Sequence, residues 1–181
     1  MAIDLIAGGR SKVTKKTRTN SKNPYMAMLI KLYTFLARRT RSKFNKLILH
    51  RLIKSRTVRA PMTVSKIARL MKRQKRKTAV VVATVTDDIR LLDLPRLRIA
   101  ALRFTQTARA RIIRAGGICM TIDQLAMKYP TGKNTVLLRG PLKARKSYRY
   151  FGQAAGLPHS HTRPRTLSKI SERQRGFKGS K

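Results

Sequence analysis

The sequence predicts a mixed α/β fold (α+β in the sense that strands and short helices share one small core). A helical region precedes this core, and extended basic arms flank the whole at both termini. Three observations carry that prediction. Ala79-Val80-Val81-Val82-Ala83 is an unbroken run of small and β-branched apolar residues, the pattern of a strand buried on both faces and too short for a helix. Between 78 and 141, strand-like and helix-like segments follow in the order strand, strand, helix, strand, helix, strand. Four of the six acidic residues, Asp87, Asp88, Asp93 and Asp123, also fall there, while the flanks are almost free of acid.

Residues 1–23 carry six basic residues, one acid (Asp4), Gly8-Gly9 and several Ser and Thr, with no usable periodicity. That composition predicts an extended arm, ordered against a partner. The helical basic region and its linker span 24–77. Pro24 stands where proline suits a helix start, with Asn23 as N-cap. Met26, Leu29, Ile30, Tyr33 and Ala37 follow helical spacing along one face. Met28, Leu32 and Phe35 cover a second, so wide burial is expected. Arg38, Arg39 and Arg41 close the helix, where cations suit the macrodipole. Ser42 caps a second helix, with Phe44, Leu47, Ile48 and Leu52 inward and Lys43, Lys46, His50, Arg51 and Lys54 largely on other faces. A third, shorter helix starts at Thr63, after Pro61, and uses Val64, Ile67, Ala68 and Met71. Lys72, Arg73, Gln74, Lys75, Arg76 and Lys77 make a basic linker, readable as a solvated loop, an import signal or an RNA clamp.

The core spans 78–141. Its first strand ends near Val85, and Thr86-Asp87-Asp88 has the composition of a turn. Leu97 to Phe104 reads as a second strand, with Pro95 breaking any continuous central strand before it. Thr105 or Thr107 caps a helix containing Ala108, Ile112 and Ala115, and Gly116-Gly117 supplies its stop. Arg111 and Arg114 lie near that end, and Arg109 points elsewhere. Ile118 to Met120 is a short strand. Thr121 and Gln124 fit a capping box ahead of Ile122, Leu125 and Ala126, which Pro130 closes. Thr135 to Leu138 is the last strand, ended by Gly140-Pro141. A core this small calls for the N-terminal helices to pack against it.

The basic C-terminal extension spans 142–181. Lys143, Arg145, Lys146 and Arg149 interleave with Tyr148, Tyr150 and Phe151. These rings either stack on unpaired bases while the cations meet phosphates, or pack locally onto the core. From Gly152 onward, Gly, Pro, Ser and basic residues predict a chain that stays extended until bound.

Charge decides the class of partner. Lys and Arg number 44 against 6 Asp and Glu, a formal charge of +38 with a pI near 12.0. From Tyr25 to Ala60 there are ten basic residues and no acid, so helix i,i+4 ion pairs are unavailable. Countercharge must come from outside, and nucleic-acid phosphate is the dense supply. An anionic membrane is the rival sink, yet no stretch reaches the roughly 18 apolar residues of a membrane span. At 41% hydrophobic, the chain is too apolar for a wholly disordered basic tail. The N-terminal segment lacks an apolar signal-peptide region. It has a transit-peptide-like composition, but Asn20 to Pro24 reads as a loop and no Arg-bearing amphipathic helix precedes it. The single Cys119 excludes an intrachain disulfide framework and a cysteine-based zinc finger, and reads as a small buried apolar residue.

Catalytic patterns are weak. Gly132-Lys133-Asn134 is no phosphate loop, because methionine stands at 127 and residue 134 is neither Ser nor Thr. His159 and His161 offer two metal ligands without a third nearby, so hydrogen bonding is the simpler role. Asp87 and Asp88 would point oppositely on a strand, and turn formation with arginine pairing explains them better than a nuclease metal.

Several segments together resemble a known family. Lys31 to Thr40 (KLYTFLARRT), Thr78 to Asp88 (TAVVVATVTDD), Ala110 to Gly117 (ARIIRAGG), Thr121 to Ala126 (TIDQLA), Thr135 to Pro141 (TVLLRGP) and Pro158 to Pro164 (PHSHTRP) carry it, in order. They resemble the eukaryotic cytosolic large-subunit ribosomal protein eighteen family, which is related through its core to bacterial large-subunit protein fifteen. Ala83 stands where that pattern has glycine, Tyr150 where it has histidine, and the 72–77 linker is shorter and more basic. The resemblance implies a structural constituent of the large (60S) subunit that binds large-subunit ribosomal RNA and neighbouring ribosomal proteins. It also implies no catalysis, cofactor, metal, small-molecule substrate, membrane or homo-oligomer. The expected location is the cytosolic ribosome, with passage through nucleus and nucleolus during assembly. The alternative is a basic nucleolar or chromatin scaffold outside the ribosome. The expected RNA-binding set is Arg38, Arg39, Arg41, Lys43, Lys46, Arg51, Lys72, Arg73, Lys75, Arg76, Lys77, Arg109, Arg111, Arg114, Lys143, Arg145, Lys146, Arg149, Tyr150, His159, His161, Arg163 and Arg165.

Overall fold

The structure, a computed structural model, describes residues 18–74 and 76–165, which fall into two units meeting in sequence at Gly140 and Pro141. In the first, chain order is α1 (Pro24–Thr40), α2 (Lys43–Ile53), a 3-10 turn (Arg56–Val58), β1 (Met62–Thr63) and α3 (Val64–Met71). There follow β2 (Thr78–Thr86), β3 (Arg98–Phe104), α4 (Gln106–Arg114), β4 (Ile118–Met120), α5 (Ile122–Lys128) and β5 (Thr135–Leu138). The expected helices and strands are all present, and β1 is an addition. Two residues long, it leaves no periodic trace in the sequence.

Local chemistry starts and stops these elements. Asn23, Ser42, Thr63 and Thr105 each accept from an amide of the helix that follows. Thr121 and Gln124 close a reciprocal capping box on α5. At the end of α4, Gly116 adopts φ +70, and the amides of Gly116 and Gly117 return to the carbonyls of Ile113 and Ile112. That is a Schellman stop, which needs a residue free to turn left-handed.

The sheet is parallel throughout. β2 is central: β3 pairs along one side with β4 beyond it, while β5 and β1 share the other side, β5 along the first half and β1 at the end. Alternation along β2 then builds two cores. Ala79, Val81, Ala83 and Val85 point to α3 and α4, meeting Ile67, Met71 and Ile112. Val80 and Val82 point to α1, α2 and α5, meeting Tyr33, Ile48, Leu52 and Leu125. Each fully buried Val of β2 contributes roughly 1.5–3 kcal/mol before conformational entropy. The N-terminal helices pack on the sheet as a core of this size requires, and Tyr33 donates its hydroxyl to the Ile122 carbonyl at 2.9 Å, tying α1 to α5.

Two burial expectations are corrected. Met28 is 65% and Phe35 49% exposed, so α1 buries one stripe only. At ~100° per residue both lie roughly 140–160° round the helix from Tyr33, beyond what one layer can cover. Leu47 is 50% exposed for the same reason on α2. In the second unit, 3-10 turns at Leu142–Ala144 and Lys146–Tyr150 lead into an irregular segment. It is stitched by the Arg163 amide donating to the Arg149 carbonyl at 2.7 Å. Most of the expected N-terminal arm (1–17) and the end of the C-terminal extension (166–181) lie outside the described residues.

Burial, and secondarily the Asp123 carboxylate, push the Tyr33 phenol well above its ordinary value. The native state therefore favours the neutral phenol, while the unfolded chain ionises it near pH ~10. Tyr33→Phe should cost about 1–2 kcal/mol at neutral pH. That gap between wild type and variant should shrink as pH rises above about 10, checked by denaturant melts at a series of pH values.

Candidate nucleic-acid interface

The fold spends its apolar residues inside and leaves its cations outside almost without counter-ions. Among the described residues there is a single ion pair, Arg111 with Asp87 at 2.8 Å. Asp88 is engaged by neutral donors: the Ser65 hydroxyl at 2.5 Å first, then the Arg90 amide, hold its carboxyl below the usual range. Among the described residues no other lysine or arginine pairs with a carboxylate.

The α1–α2 hairpin builds the densest group. Arg38 and Arg39 end α1, Arg41 sits in the turn, and Lys43 and Lys46 begin α2, so all five share one end of the hairpin and are exposed. Arg39 lies over the Phe35 ring at 5.7 Å. Arg41 adopts φ +51, a left-handed conformation that glycine would occupy with less strain. The turn is pinned from below: buried Asn45 donates to Thr40 Oγ1 at 2.8 Å and to the Pro130 carbonyl at 2.7 Å, and Ser42 donates to the Thr131 carbonyl. Those bonds bring the end of α5 and the loop after it, with exposed Lys128 and Lys133, to the same end. No local pattern marks these two lysines; only the long-range pinning does.

Two expected contacts prove to be engaged within the protein. Arg111 donates to Asp87, to the Asp88 carbonyl at 2.8 Å, and to the carbonyls of Leu91 and Leu92. It thereby holds residues 87–97, which carry the chain from β2 to parallel β3 without the helix such a crossover usually uses. Arg111 is a structural clamp whose donors are engaged by the crossover. Arg51 is half-buried and donates to the Leu138 carbonyl at 2.6 Å.

The remaining residues are spread out. Arg109 and Arg114 are exposed on α4, on the opposite side of the sheet from the hairpin. Lys72, Arg73, Arg76 and Lys77 are exposed in the turn leading into β2, and Lys75 lies outside the described residues. In the second unit Lys143, Arg145, Lys146, Arg149, Tyr150, His159, His161, Arg163 and Arg165 are exposed. Tyr148 packs edge-on against Phe151, ring centroids 5.4 Å apart, while Phe151 itself remains open. The cations of the first unit thus lie over both outer layers, the distribution expected of a protein surrounded by polyanion.

Among the described residues no three His, Cys, Asp or Glu side chains gather, and no helix is long and apolar enough to cross a membrane. Burial pushes the Cys119 thiol up, against the pull of Arg109, away from a reactive thiolate.

Comparison with known proteins agrees with this picture. The family described as ribosomal protein 60S L18 and 50S L18e matches residues 2–181. Large ribosomal subunit protein eL18z of Arabidopsis thaliana is 51% identical, covering 98% of this chain and all of the relative. Large ribosomal subunit protein eL18 of Dictyostelium discoideum is 53% identical over 97% of each chain. The protein of that name in Trypanosoma brucei brucei is 50% identical, covering 98% of this chain and 96% of its own.

Arg41 and Arg111 should separate by experiment. Arg41→Gly relieves a strained turn, so the melting temperature should hold or rise while RNA affinity loses salt dependence by about one unit of slope or less. Arg111→Gln should leave that slope unchanged but destabilise the fold by about 2–3 kcal/mol. Hydrogen exchange should then quicken in residues 87–97.

Proposed function

This chain belongs to the family of ribosomal protein 60S L18 and 50S L18e, and from that membership we propose that it is a structural constituent of the large ribosomal subunit. It works on the ribosome, beside ribosomal RNA and other ribosomal proteins, and it catalyses no reaction. The single observation that carries the RNA reading is the charge balance: 44 basic residues against 6 acidic, with one ion pair among the described residues.

In this reading the sheet and its helices position the protein. The exposed cations of 24–77 meet phosphate, and the two terminal arms thread along RNA. A-form RNA hides its deep groove from side chains, so most contacts fall on phosphate and shape. Phe151 and Tyr150 add stacking surfaces for unpaired bases. The location we propose is the cytosolic ribosome, reached by way of nucleus and nucleolus.

Ten phosphate contacts would weaken RNA affinity by about 10³–10⁵ between ~50 and ~200 mM salt, by analogy with DNA. A titration of the full chain on large-subunit RNA fragments should show that fall; binding that stays flat would count against the reading. In sucrose gradients the protein should sediment with large subunits, monosomes and polysomes and stay there through moderate salt. A protein that sediments with chromatin instead would be the scaffold of the alternative reading.

A further inference from the structure

One loop of the first unit departs from the cationic surface around it. Asp87, Asp88 and Asp93, half of the six acidic residues, fall between 86 and 97, against Arg90 and Arg96 in that span. Arg111, reaching over from α4, brings the loop to an even balance of carboxylates and guanidiniums. On a chain of formal charge +38, such a loop offers a nucleic-acid backbone no run of cations. The same loop puts its aliphatic residues in water. Ile89 is 88% exposed, more than any other large apolar residue described, and Leu92 is 86% exposed.

Hydrogen bonds fix the loop in this pose. The Leu91 amide donates to the Asp88 carbonyl at 3.2 Å, closing a turn with Ile89 and Arg90 at its tip. Asp88 shapes the turn further, accepting from the Arg90 amide and from the Ser65 hydroxyl of α3. Arg111 gathers both ends, with the Asp87 carboxylate and Asp88 carbonyl on one nitrogen and the Leu91 and Leu92 carbonyls on the other. Leu94 packs against the core. Turn tips favour glycine, proline and small polar residues, and water gives isoleucine or leucine no reason to stand there. A braced loop that presents aliphatic side chains has the form of a docking element.

We propose that the β2–β3 crossover, residues 87–97, docks against a neighbouring protein of the large subunit, with Ile89 and Leu92 entering an apolar pocket there. The proposal rests on the ribosomal reading above and says which loop of the chain meets protein instead of RNA. Charge argues for that occupant. A neighbour bound to the same RNA carries cations for the same reason this chain does, so two such proteins repel where their basic surfaces meet. Contact suits a surface where cation gives way to acid, as it does here. Asp93, exposed beside Leu92 and outside any ion pair, then faces the neighbour's basic rim. The aliphatic chains point the same way: they offer neither a donor to phosphate nor a flat ring to a base.

The test uses large subunits assembled in cells with a benzophenone amino acid in place of Ile89, Leu92 or Lys46. After gradient isolation and irradiation, the probes at 89 and 92 should join one and the same ribosomal protein, identified by mass spectrometry. The probe at 46, on the hairpin, should join RNA. In a second arm, Ile89→Ser with Leu92→Ser should keep the wild-type melting temperature and RNA salt slope as a purified chain. On subunits washed in high salt, which screens phosphate contacts and leaves apolar ones, retention of that variant should fall roughly tenfold. Crosslinks from 89 and 92 to RNA, to this chain itself or to nothing overturn the proposal. So does a variant retained like wild type, or one that melts lower by more than about 2 °C, since its side chains would then pack within the chain. A probe at 46 that meets no RNA counts against the RNA reading alone. A chain missing from the large-subunit peak sinks the ribosomal reading itself, a result the gradient gives before any crosslink is read.

Discussion

Everything in the first unit follows from burying β2 on both faces. A strand of valines and alanines at the centre of a parallel sheet cannot leave either side to water, so each side needs its own layer of helices. One layer is supplied by α3, which leads into the core, and by α4 within it. The other has to be brought in from the N-terminal hairpin, together with α5. The Tyr33 hydroxyl bond to Ile122 and the Asn45 bonds to Thr40 and Pro130 are the polar pins that seat the hairpin. Once seated, it has a single inner stripe, and every cation on α1 and α2 is forced to the rim or the outside.

The electrostatic consequence is a protein whose surface is set by its core. Two of its few acids shape the β2–β3 crossover, where Asp87 holds Arg111 and Asp88 takes the Ser65 hydroxyl. That leaves the outer layers cationic on both sides of the sheet. Such a surface repels itself in isolation and is completed by a dense polyanion, as in a ribosomal subunit. The exposed Met28, Phe35 and Leu47 sit among those cations, and the Arg39 guanidinium over Phe35 shows how ring and charge share one surface.

Local sequence was a reliable guide wherever the determining contacts are local. Asn23, Ser42, Thr63, Thr121 with Gln124, and Gly116-Gly117 act on backbone groups within five residues, so their roles can be read directly. Arg111 could not be read that way. On α4 it is one basic residue among several, and its partners lie some twenty positions upstream, in a loop whose path depends on the sheet. Lys128 and Lys133 come to the hairpin end in the same way, through bonds that Ser42 and Asn45 make 89 and 85 positions along the chain.

The sequence by itself determined the five helices and every strand but β1, the doubly buried central strand, the family and the class of partner. These depend on periodicity, capping chemistry, ordered motifs and net charge, none of which needs a third dimension. Only the tertiary structure decided which faces of α1 and α2 are covered, which arginine is spent on the crossover, and where β2 lacks an edge partner. Those outcomes turn on how wide a stripe a sheet can bury and on which distant carbonyls reach a given guanidinium. Such quantities exist only once the layers have met.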